Sequence, residues 1–156
     1  MTSVPHEPYI RRCLELARAA MDLGEVPVGA LIVDGNSIVG EGMECTRARA
    51  DPTAHAEVRA VQAACQARRT TSLTGVTLYS TVEPCVLCGY VARSIGVAAV
   101  VYGVPAGRLG ACSSGYALLT DASIPGWAAP PRIVSGVLQS DCAALLDQYA
   151  RERPVR

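Results

Sequence analysis

Three residues with metal-binding side chains and one carboxylate lie in two short motifs of the chain. His55 and Glu57 belong to a His-Ala-Glu motif, and Cys85 and Cys88 belong to a later Pro-Cys-Val-Leu-Cys motif. Imidazole nitrogen and thiolate sulfur are preferred ligands of zinc, which they bind in tetrahedral geometry. Three protein ligands leave the fourth position open for water, so the motifs predict a catalytic zinc site rather than a structural one.

Glu57 is predicted to move protons rather than to bind the metal. Zinc lowers the pKa of a bound water toward roughly 7, and a reaction that consumes this water also needs a proton carrier. Alanines on both sides of the motif predict a helix from about Thr53 to Ala67. Two residues correspond to about 200° around a helix, so the side chains of His55 and Glu57 diverge. Glu57 is therefore expected beside the water.

The second motif is predicted to begin another helix. Pro84 suits the first helical position, and the segment from Cys85 to about Ile95 is expected to be helical. The positive end of a helix lowers the pKa of a thiol in its first turn and favours the thiolate that zinc needs. Alone, Cys-x-x-Cys is also typical of a redox pair, and a single histidine is more often a packed core residue. The presence of both motifs favours the metal.

The two motifs together form the signature of zinc-dependent nucleobase deaminases. Four longer stretches, GEVPVGA from Gly24, DPTAHAE from Asp51, TVEPCVLC from Thr81 and GVLQSDCAALL from Gly136, also resemble the cytidine deaminase superfamily and span most of the chain. Within that superfamily the chain resembles bacterial tRNA adenosine deaminases, guanine deaminases and fungal cytosine deaminases. The resemblance implies a hydrolytic reaction in which hydroxide adds to an amino-bearing ring carbon and ammonia leaves.

The same resemblance assigns roles to residues of this chain. It implies one zinc ion per chain, with water or hydroxide as fourth ligand, held by His55, Cys85 and Cys88. It implies that Glu57 shuttles protons. Backbone groups are expected to contact the substrate at Ala56, Val82 and Glu83. Superfamily members are often dimers with the pocket near the subunit interface, so a homodimer is expected by analogy.

The order of predicted elements favours an α/β fold, a three-layer α/β/α sandwich of the cytidine deaminase type with a mixed central sheet of about five strands. Spacing of apolar residues predicts a first helix from Ile10 that ends near Gly24, and Asp34-Gly35-Asn36 predicts a hairpin turn. A strand, helix, strand unit predicts parallel pairing. Strands are predicted at 28–33, 37–42, 76–81, 97–102 and 133–134, and a last helix at 140–151. One domain over 1–156 is the economical interpretation.

The least regular stretch of the sequence runs from Gly103 to Pro131 and is rich in Gly, Ser and Pro. Loops of this length are usually functional or disordered, so it is expected to influence specificity, in its own subunit or in a partner's. Residues 116–120 are predicted to form a short helix. Trp127, the single tryptophan, is interpreted either as a cover over a flat heterocycle or as a packing anchor.

Glu44 is the main departure from the similar enzymes. In the similar tRNA, guanine and cytosine enzymes, the position eleven residues before the zinc histidine looks like asparagine, whose side chain offers one donor and one acceptor. This chain has Glu44 at that position. An ionised carboxylate offers acceptors only and suits a substrate with N–H donors. The alternative is a solvent-facing strand residue.

The last helix also differs from that of the tRNA enzymes, which carry paired aromatics and a basic tail. Here Tyr149 is the remaining aromatic, and Glu152 interrupts the basic residues. Stacking of bases on aromatic side chains contributes roughly 1–3 kcal/mol per base, so this change disfavours a flipped anticodon base. We therefore favour a small purine or pyrimidine base or nucleoside as substrate, with tRNA wobble adenosine as the alternative.

Composition and charge are consistent with an intracellular enzyme. The formal net charge is zero, which disfavours recruitment by nucleic acid or an anionic membrane. Small arginine clusters, including Arg151, Arg153 and Arg156, are more typical of solvated faces. The sequence has neither a transmembrane run nor a signal-peptide core, and its seven cysteines lack paired spacing, which predicts reduced thiols in the cytoplasm.

Two other classes of protein remain open at this point. A zinc-bound nucleic-acid-binding module without catalysis would normally close the fourth coordination position, and the motifs have no further Cys or His at suitable spacing. A redox protein would use Cys85 and Cys88 as a disulfide pair. Zinc content with retention of both thiols under mild oxidation would speak against the redox class.

Overall fold

The structure, a computed structural model, describes residues 5–153. Arg156 of the predicted arginine cluster lies outside the described residues, as do residues 1–4. The middle layer is a five-stranded mixed sheet in the order β2-β1-β3-β4-β5. The strands are β1 Gly29–Asp34, β2 Ser37–Met43, β3 Thr77–Val82, β4 Ala99–Val104 and β5 Arg132–Val134. The predicted α/β fold with a mixed sheet of five strands is confirmed.

Helices cover both faces of this sheet. α1 and α5 pack against one face, and α3 packs with α4 against the other. The helices are α1 Glu7–Asp22, α2 Thr46–Arg49, α3 Ala56–Arg68, α4 Val86–Ile95 and α5 Gln139–Glu152. None of the helices among the described residues combines the length and apolarity needed to cross a membrane.

Successive side chains along a strand point to opposite faces of the sheet and so contribute to two hydrophobic cores. In β1 the side chain of Ile32 joins the core under α3 and α4, whereas Leu31 and Val33 join the core under α1 and α5. This is the two-residue period of a strand whose two faces are both covered. The sheet is therefore buried on both sides, and the metal motifs lie on the helices of a single face.

Strand pairing agrees with the predicted hairpin and crossover. β1 and β2 pair antiparallel around Gly35, whose φ of 58° fits the left-handed conformation that the tight turn requires. β3, α4 and β4 form a strand, helix, strand unit with parallel strands. Antiparallel pairing of β1 with β3 joins the hairpin to this unit. The sheet thus brings the beginnings of α3 and α4 to the same end of its strands.

Gly42 allows α3 to approach the sheet closely. A Cβ atom at this residue would lie 2.2 Å from the carbonyl oxygen of Ala56, far inside van der Waals contact. Any side chain at this position would push the first turn of α3 away from β2. Because α3 begins immediately after His55, this close packing fixes the position of that residue.

Both metal-motif helices begin later than the sequence predicts. His55 and Cys85 are N-cap residues with extended backbone, ψ 152° and 177°, and the helices start at Ala56 and Val86. Periodicity identifies the apolar face of a helix but not the residue that caps it. The predicted angular separation within one helix does not apply, since His55 lies outside α3.

Residues 116–120 do not form the short helix predicted for them. Residues 118–120 form a turn, 116 and 117 are irregular, and the hydroxyl of Ser114 accepts a hydrogen bond from the Tyr116 amide at 3.0 Å. Such a local side-chain contact competes with helix formation. The four-residue helix α2 was not predicted; the buried carboxylate of Glu25 accepts bonds from the Arg47 and Ala48 amides in its first turn.

Candidate metal centre and active site

The three predicted zinc ligands converge at the N-termini of α3 and α4. The two sulfur atoms of Cys85 and Cys88 are 3.7 Å apart, and each lies 3.6 Å from Nδ1 of His55. Among the described residues these three form a group able to hold a metal ion. Capping geometry produces this convergence, because His55 and Cys85 each stand at the start of a helix and point toward the other.

These distances fit a tetrahedral zinc ion. Zinc bonds of about 2.3 Å to sulfur and about 2.0–2.1 Å to nitrogen place two sulfurs about 3.8 Å apart and a sulfur and a nitrogen about 3.6 Å apart. The observed separations of 3.7 Å and 3.6 Å match both values. The donor set of one imidazole and two thiolates is also one that catalytic zinc uses.

Protons are distributed unequally among the three side chains of the metal-free site, His55, Cys85 and Cys88, which form a hydrogen-bonded trio. The hydrogen bond with Cys88, together with that of His55, lowers the pKa of Cys85 to about 4. The Cys85 thiolate in turn raises the pKa of His55 to about 9. The pKa of Cys88 rises because of its hydrogen bond with Cys85 and its burial. At neutral pH the site therefore holds one thiolate, one thiol and an imidazolium.

Glu57 lies beside the metal ligands without joining them. Its Oε2 accepts from the Cys88 thiol at 3.4 Å, and its Oε1 accepts from the Ser80 hydroxyl at 3.1 Å. The side chain is 5% exposed. Burial raises the pKa of Glu57 to about 7, where a carboxyl group can both take up and release a proton at neutral pH.

Glu44 is part of the site and not a solvent-facing strand residue. It follows β2, is buried, and lines a cavity together with His55 and Glu57. Burial raises the pKa of Glu44, whereas the nearby charge of His55 and hydrogen bonds with Thr46 and the Ala56 backbone oppose the rise. The predicted contact point at Ala56 thus lies next to the Glu44 carboxylate.

The cavity beside the metal ligands has a volume of about 230 Å³. Its apolar wall comes from the segment after α1 and from the end of β3, and its polar groups are the carboxylates and the metal ligands. The lining residues are Val26, Val28, Glu44, His55, Glu57, Val82, Glu83, Cys85 and Ala106. This is smaller than the roughly 300–1,000 Å³ of sites for drug-sized ligands. The dimensions suit a single heterocycle.

The side chain of Glu83 fixes the loop that follows β4. Its carboxylate accepts bonds from the amides of Ala106, Cys112 and Ser113 and from the Ser113 hydroxyl, at 2.6–3.0 Å. Burial alone would raise the pKa of Glu83, but these hydrogen bonds outweigh it and lower the pKa. Glu83 thereby holds Ala106 at the cavity wall, a role that the sequence did not reveal.

Trp127 and Tyr149 do not line this cavity. The Trp127 ring lies 4.9 Å from the guanidinium carbon of Arg93 and 5.3 Å from the ring of Tyr90. Buried Arg93 also donates to three backbone carbonyls of the 103–131 loop, at Leu118, Asp121 and Ala128. Tyr149 lies on α5, which packs on β4 with α1. Substrate contacts by either aromatic residue stay predictions.

Sequence reasoning missed Ser80, which bonds to Glu57. A signal was available, since Ser80 follows Tyr79 in a strand whose four central residues are buried, and a buried hydroxyl needs a hydrogen-bond partner. Its partner could not be named from local sequence, because Glu57 is 23 residues away.

Comparison with known proteins identifies relatives of this chain. The tRNA-specific adenosine deaminase of Haemophilus influenzae is 34% identical over 148 residues, which is 94% of this chain and 84% of that protein. A solved structure from a study of A-to-I editing by tRNA:A34 deaminases superimposes with a TM-score of 0.83 at 32% identity, over 89% of this chain and 99% of the other. A guanine deaminase structure from Bacillus subtilis has a TM-score of 0.59 at 32% identity, over 72% and 71% of the two chains.

The fold, the metal site and these relatives define a zinc-dependent hydrolytic deaminase that acts on amino-substituted heterocycles. Residues 3–104 match the family model of the cytidine and deoxycytidylate deaminase zinc-binding region. The chain belongs to this family. The expectation of a zinc-binding deaminase, formed from the two motifs, is confirmed, and the non-catalytic and redox alternatives are not needed.

Proposed function

We propose that this chain deaminates a free amino-substituted heterocycle that presents at least one N–H donor besides the amine that leaves. The observation that carries this proposal is the buried carboxylate of Glu44 in the cavity wall, next to His55. Relatives with similar identity act, by their names, on tRNA adenosine and on guanine, so the cavity chemistry has to decide between the two kinds of substrate.

Within this proposal each polar residue of the site has one role. His55, Cys85 and Cys88 hold zinc, which when bound supplies a Lewis acid and lowers the pKa of water. Glu57 takes up a proton on its carboxylate and delivers it to a ring nitrogen or to the departing amine. Its pKa of about 7 suits both directions of transfer at neutral pH.

The remaining groups orient the ring. Backbone groups at Ala56, Val82 and Glu83 contact the substrate, and the Glu44 carboxylate accepts an N–H of the ring. The support for these contacts is that Val82, Glu83 and Glu44 line the cavity and that Ala56 adjoins Glu44.

Hydrogen-bond complementarity favours a donor-bearing ring over adenosine. An ionised carboxylate is an acceptor only. In the base of adenosine the free ring nitrogens are acceptors and the donor is the amine that leaves, whereas guanine carries N–H groups on the ring itself. An acceptor facing an acceptor leaves a buried polar group unsatisfied, at about 1–3 kcal/mol. Glu44 therefore disfavours adenosine by this amount.

Deamination of the tRNA wobble adenosine is the second candidate function. The relatives support it, since a tRNA-specific adenosine deaminase of Bacillus subtilis is also 32% identical over 146 residues, 94% of this chain and 89% of that protein. Tyr149, half-buried on α5, remains available to stack on a flanking base under this alternative.

The proposal is tested by ammonia release from zinc-loaded protein. The panel consists of guanine, cytosine, adenine, their nucleosides, aminotriazines and an anticodon stem-loop, with Glu57→Ala as control. We expect turnover of a free heterocycle that disappears in the control. Activity on the stem-loop alone would replace this proposal with the tRNA function.

Glu44→Asn is expected to lower kcat/KM on the best panel substrate by about 10- to 100-fold, because loss of the carboxylate removes one acceptor and introduces a donor that faces the ring N–H. Steady-state kinetics on that substrate measures the effect. Glu41→Asn is the matched control, since Glu41 lies three residues earlier, on β2, but pairs with Arg12 outside the cavity. Unchanged kinetics for Glu44→Asn would remove the basis for the proposed specificity.

We also propose a cytoplasmic homodimer. Seven free thiols are consistent with a reducing compartment. Large apolar side chains are exposed on α4, at Leu87 and Tyr90, and in the 103–131 loop, at Leu109 and Tyr116, and a second copy would cover them. Sedimentation velocity at micromolar concentration is expected to give twice the mass of one chain. A monomer at every concentration tested would contradict the dimer.

A further inference from the structure

Ser80 is a buried hydroxyl in the middle of β3, on the side of the sheet that carries α3. It pairs with Ala30 of β1 on one side and with Tyr102 of β4 on the other, and its side chain has no exposed surface. Most neighbours on this face of the sheet are apolar. A hydroxyl in such surroundings requires a specific partner.

That partner is the carboxylate of Glu57. The Ser80 hydroxyl lies 3.1 Å from Oε1, and an ionised carboxylate can only accept, so Ser80 is the donor. The same oxygen of Ser80 accepts from the Val82 amide at 3.4 Å. The hydroxyl hydrogen is thereby directed toward Glu57, and the backbone at the cavity wall is linked to the carboxylate.

The two oxygens of Glu57 consequently have different surroundings. Oε1 faces Ser80, away from the metal ligands, whereas Oε2 lies 3.4 Å from the sulfur of Cys88. Ser80 therefore fixes the rotation of the carboxylate and leaves Oε2 facing the metal centre. A terminal carboxylate torsion is otherwise broad, with no strong intrinsic preference.

We propose that Ser80 is a positioning residue for the deamination: its hydrogen bond to Oε1 holds the Glu57 carboxylate so that Oε2 faces the reacting groups. The proposal rests on the proton-transfer role proposed for Glu57. Misplacement of a reacting group by about 1 Å can reduce a rate by about 100-fold, so a single hydrogen bond is sufficient for a measurable effect.

Ser80→Ala tests the proposal with Thr81→Val as matched control. Thr81 is the next residue of β3 and is also buried, but its hydroxyl accepts from the Gly29 amide and does not contact Glu57. With guanine as first substrate and the other panel members after it, we expect Ser80→Ala to lower kcat by about 10- to 100-fold with KM within about twofold. Zinc content should not change. Thr81→Val should retain wild-type kcat.

A purely structural role for Ser80 predicts different results. It would lower thermal stability without a selective loss of kcat, and Ser80→Thr would not restore the rate. We expect Ser80→Thr, which keeps the hydroxyl, to recover most of the kcat. In a Glu57→Asp background, where the carboxylate is withdrawn by one methylene from Ser80, the effect of Ser80→Ala should shrink. If the loss of kcat in the double variant equals the product of the losses in the Glu57→Asp and Ser80→Ala single variants, the two residues act independently and the proposal is overturned.

The failure of this inference can be distinguished from failure of the proposed function. If Glu57→Ala retains activity, the role of Glu57 is wrong. If Glu57→Ala is inactive and Ser80→Ala has wild-type kcat, only the role of Ser80 is wrong. A crystal structure of zinc-loaded Ser80→Ala provides a test that needs no substrate: we expect a rotated Glu57 carboxylate, and an unchanged one overturns the proposal.

Discussion

Glu57→Gln is expected to lower kcat by at least about 10²- to 10⁴-fold while the protein keeps its zinc. Glutamine has the shape of glutamate and can still accept the bond from Ser80, but its amide cannot take up and release a proton. Because Glu57 is not among the three grouped metal ligands, zinc content should stay at one per chain. Single-turnover ammonia release and elemental analysis of the same sample measure both quantities.

Stability provides the control for this substitution. Burial raises the pKa of Glu57 in the folded, metal-free chain to about 7, above its ordinary value of 4.5. The folded state therefore holds the proton more tightly than the unfolded state, and stability falls as pH rises from 4.5 to about 7. Glutamine has no such titration, so the metal-free variant should be at least as stable as wild type at pH 8. A variant that keeps wild-type kcat would exclude Glu57 as the proton carrier.

Structural features that depend on residues close together in the sequence could be predicted from the sequence. The hairpin at Gly35 depends on a turn of two residues, and the strand, helix, strand unit around α4 depends on apolar runs and their connections. The metal ligands were predictable for a related reason, since the chemistry of zinc restricts which residue types can bind it. His55 and Cys85 each carry that information in their own motif.

The exact helix starts could not be predicted in the same way. His55 and Cys85 act as N-caps although neither side chain makes a capping hydrogen bond. Their backbone conformation is determined by packing, such as the contact of Gly42 with Ala56. The outcome changes the interpretation of the site: His55 diverges from Glu57 because it precedes α3, not because of angular spacing within one helix.

Long-range partners were outside the reach of sequence reasoning. Glu83 was expected to contact substrate through its backbone, yet its side chain binds a loop 23 to 30 residues further along. Trp127 packs on Arg93 and Tyr90, as expected for a packing anchor, which was one of the two interpretations of this residue. In both cases the polar or aromatic group was evident from the sequence. The partner was determined by how the 103–131 loop folds back over α4.

At pH 7 the three ligands of the metal-free protein are expected to release about two protons when zinc binds, and the zinc-bound water adds up to one more. With a pKa of about 4, Cys85 is already a thiolate. His55, with a pKa of about 9, carries an extra proton, and Cys88, whose pKa is raised by its bond to Cys85 and by burial, is a thiol. Zinc requires a neutral imidazole and two thiolates. One proton therefore leaves His55 and one leaves Cys88.

Calorimetric titration of zinc into metal-free protein, in two buffers with different ionisation enthalpies, measures this number. The Glu57→Gln variant is the matched sample, because it removes a further group whose pKa lies near 7 and isolates the ligands. The contribution of the ligands should fall toward one proton as pH rises above about 9, since His55 is then already neutral. Release of more than three protons at pH 7 would contradict the thiolate state of Cys85, and release of fewer than two would contradict the imidazolium and the thiol of the hydrogen-bonded trio. The count thus tests whether the N-terminus of α4 prepares one sulfur for the metal before the metal arrives.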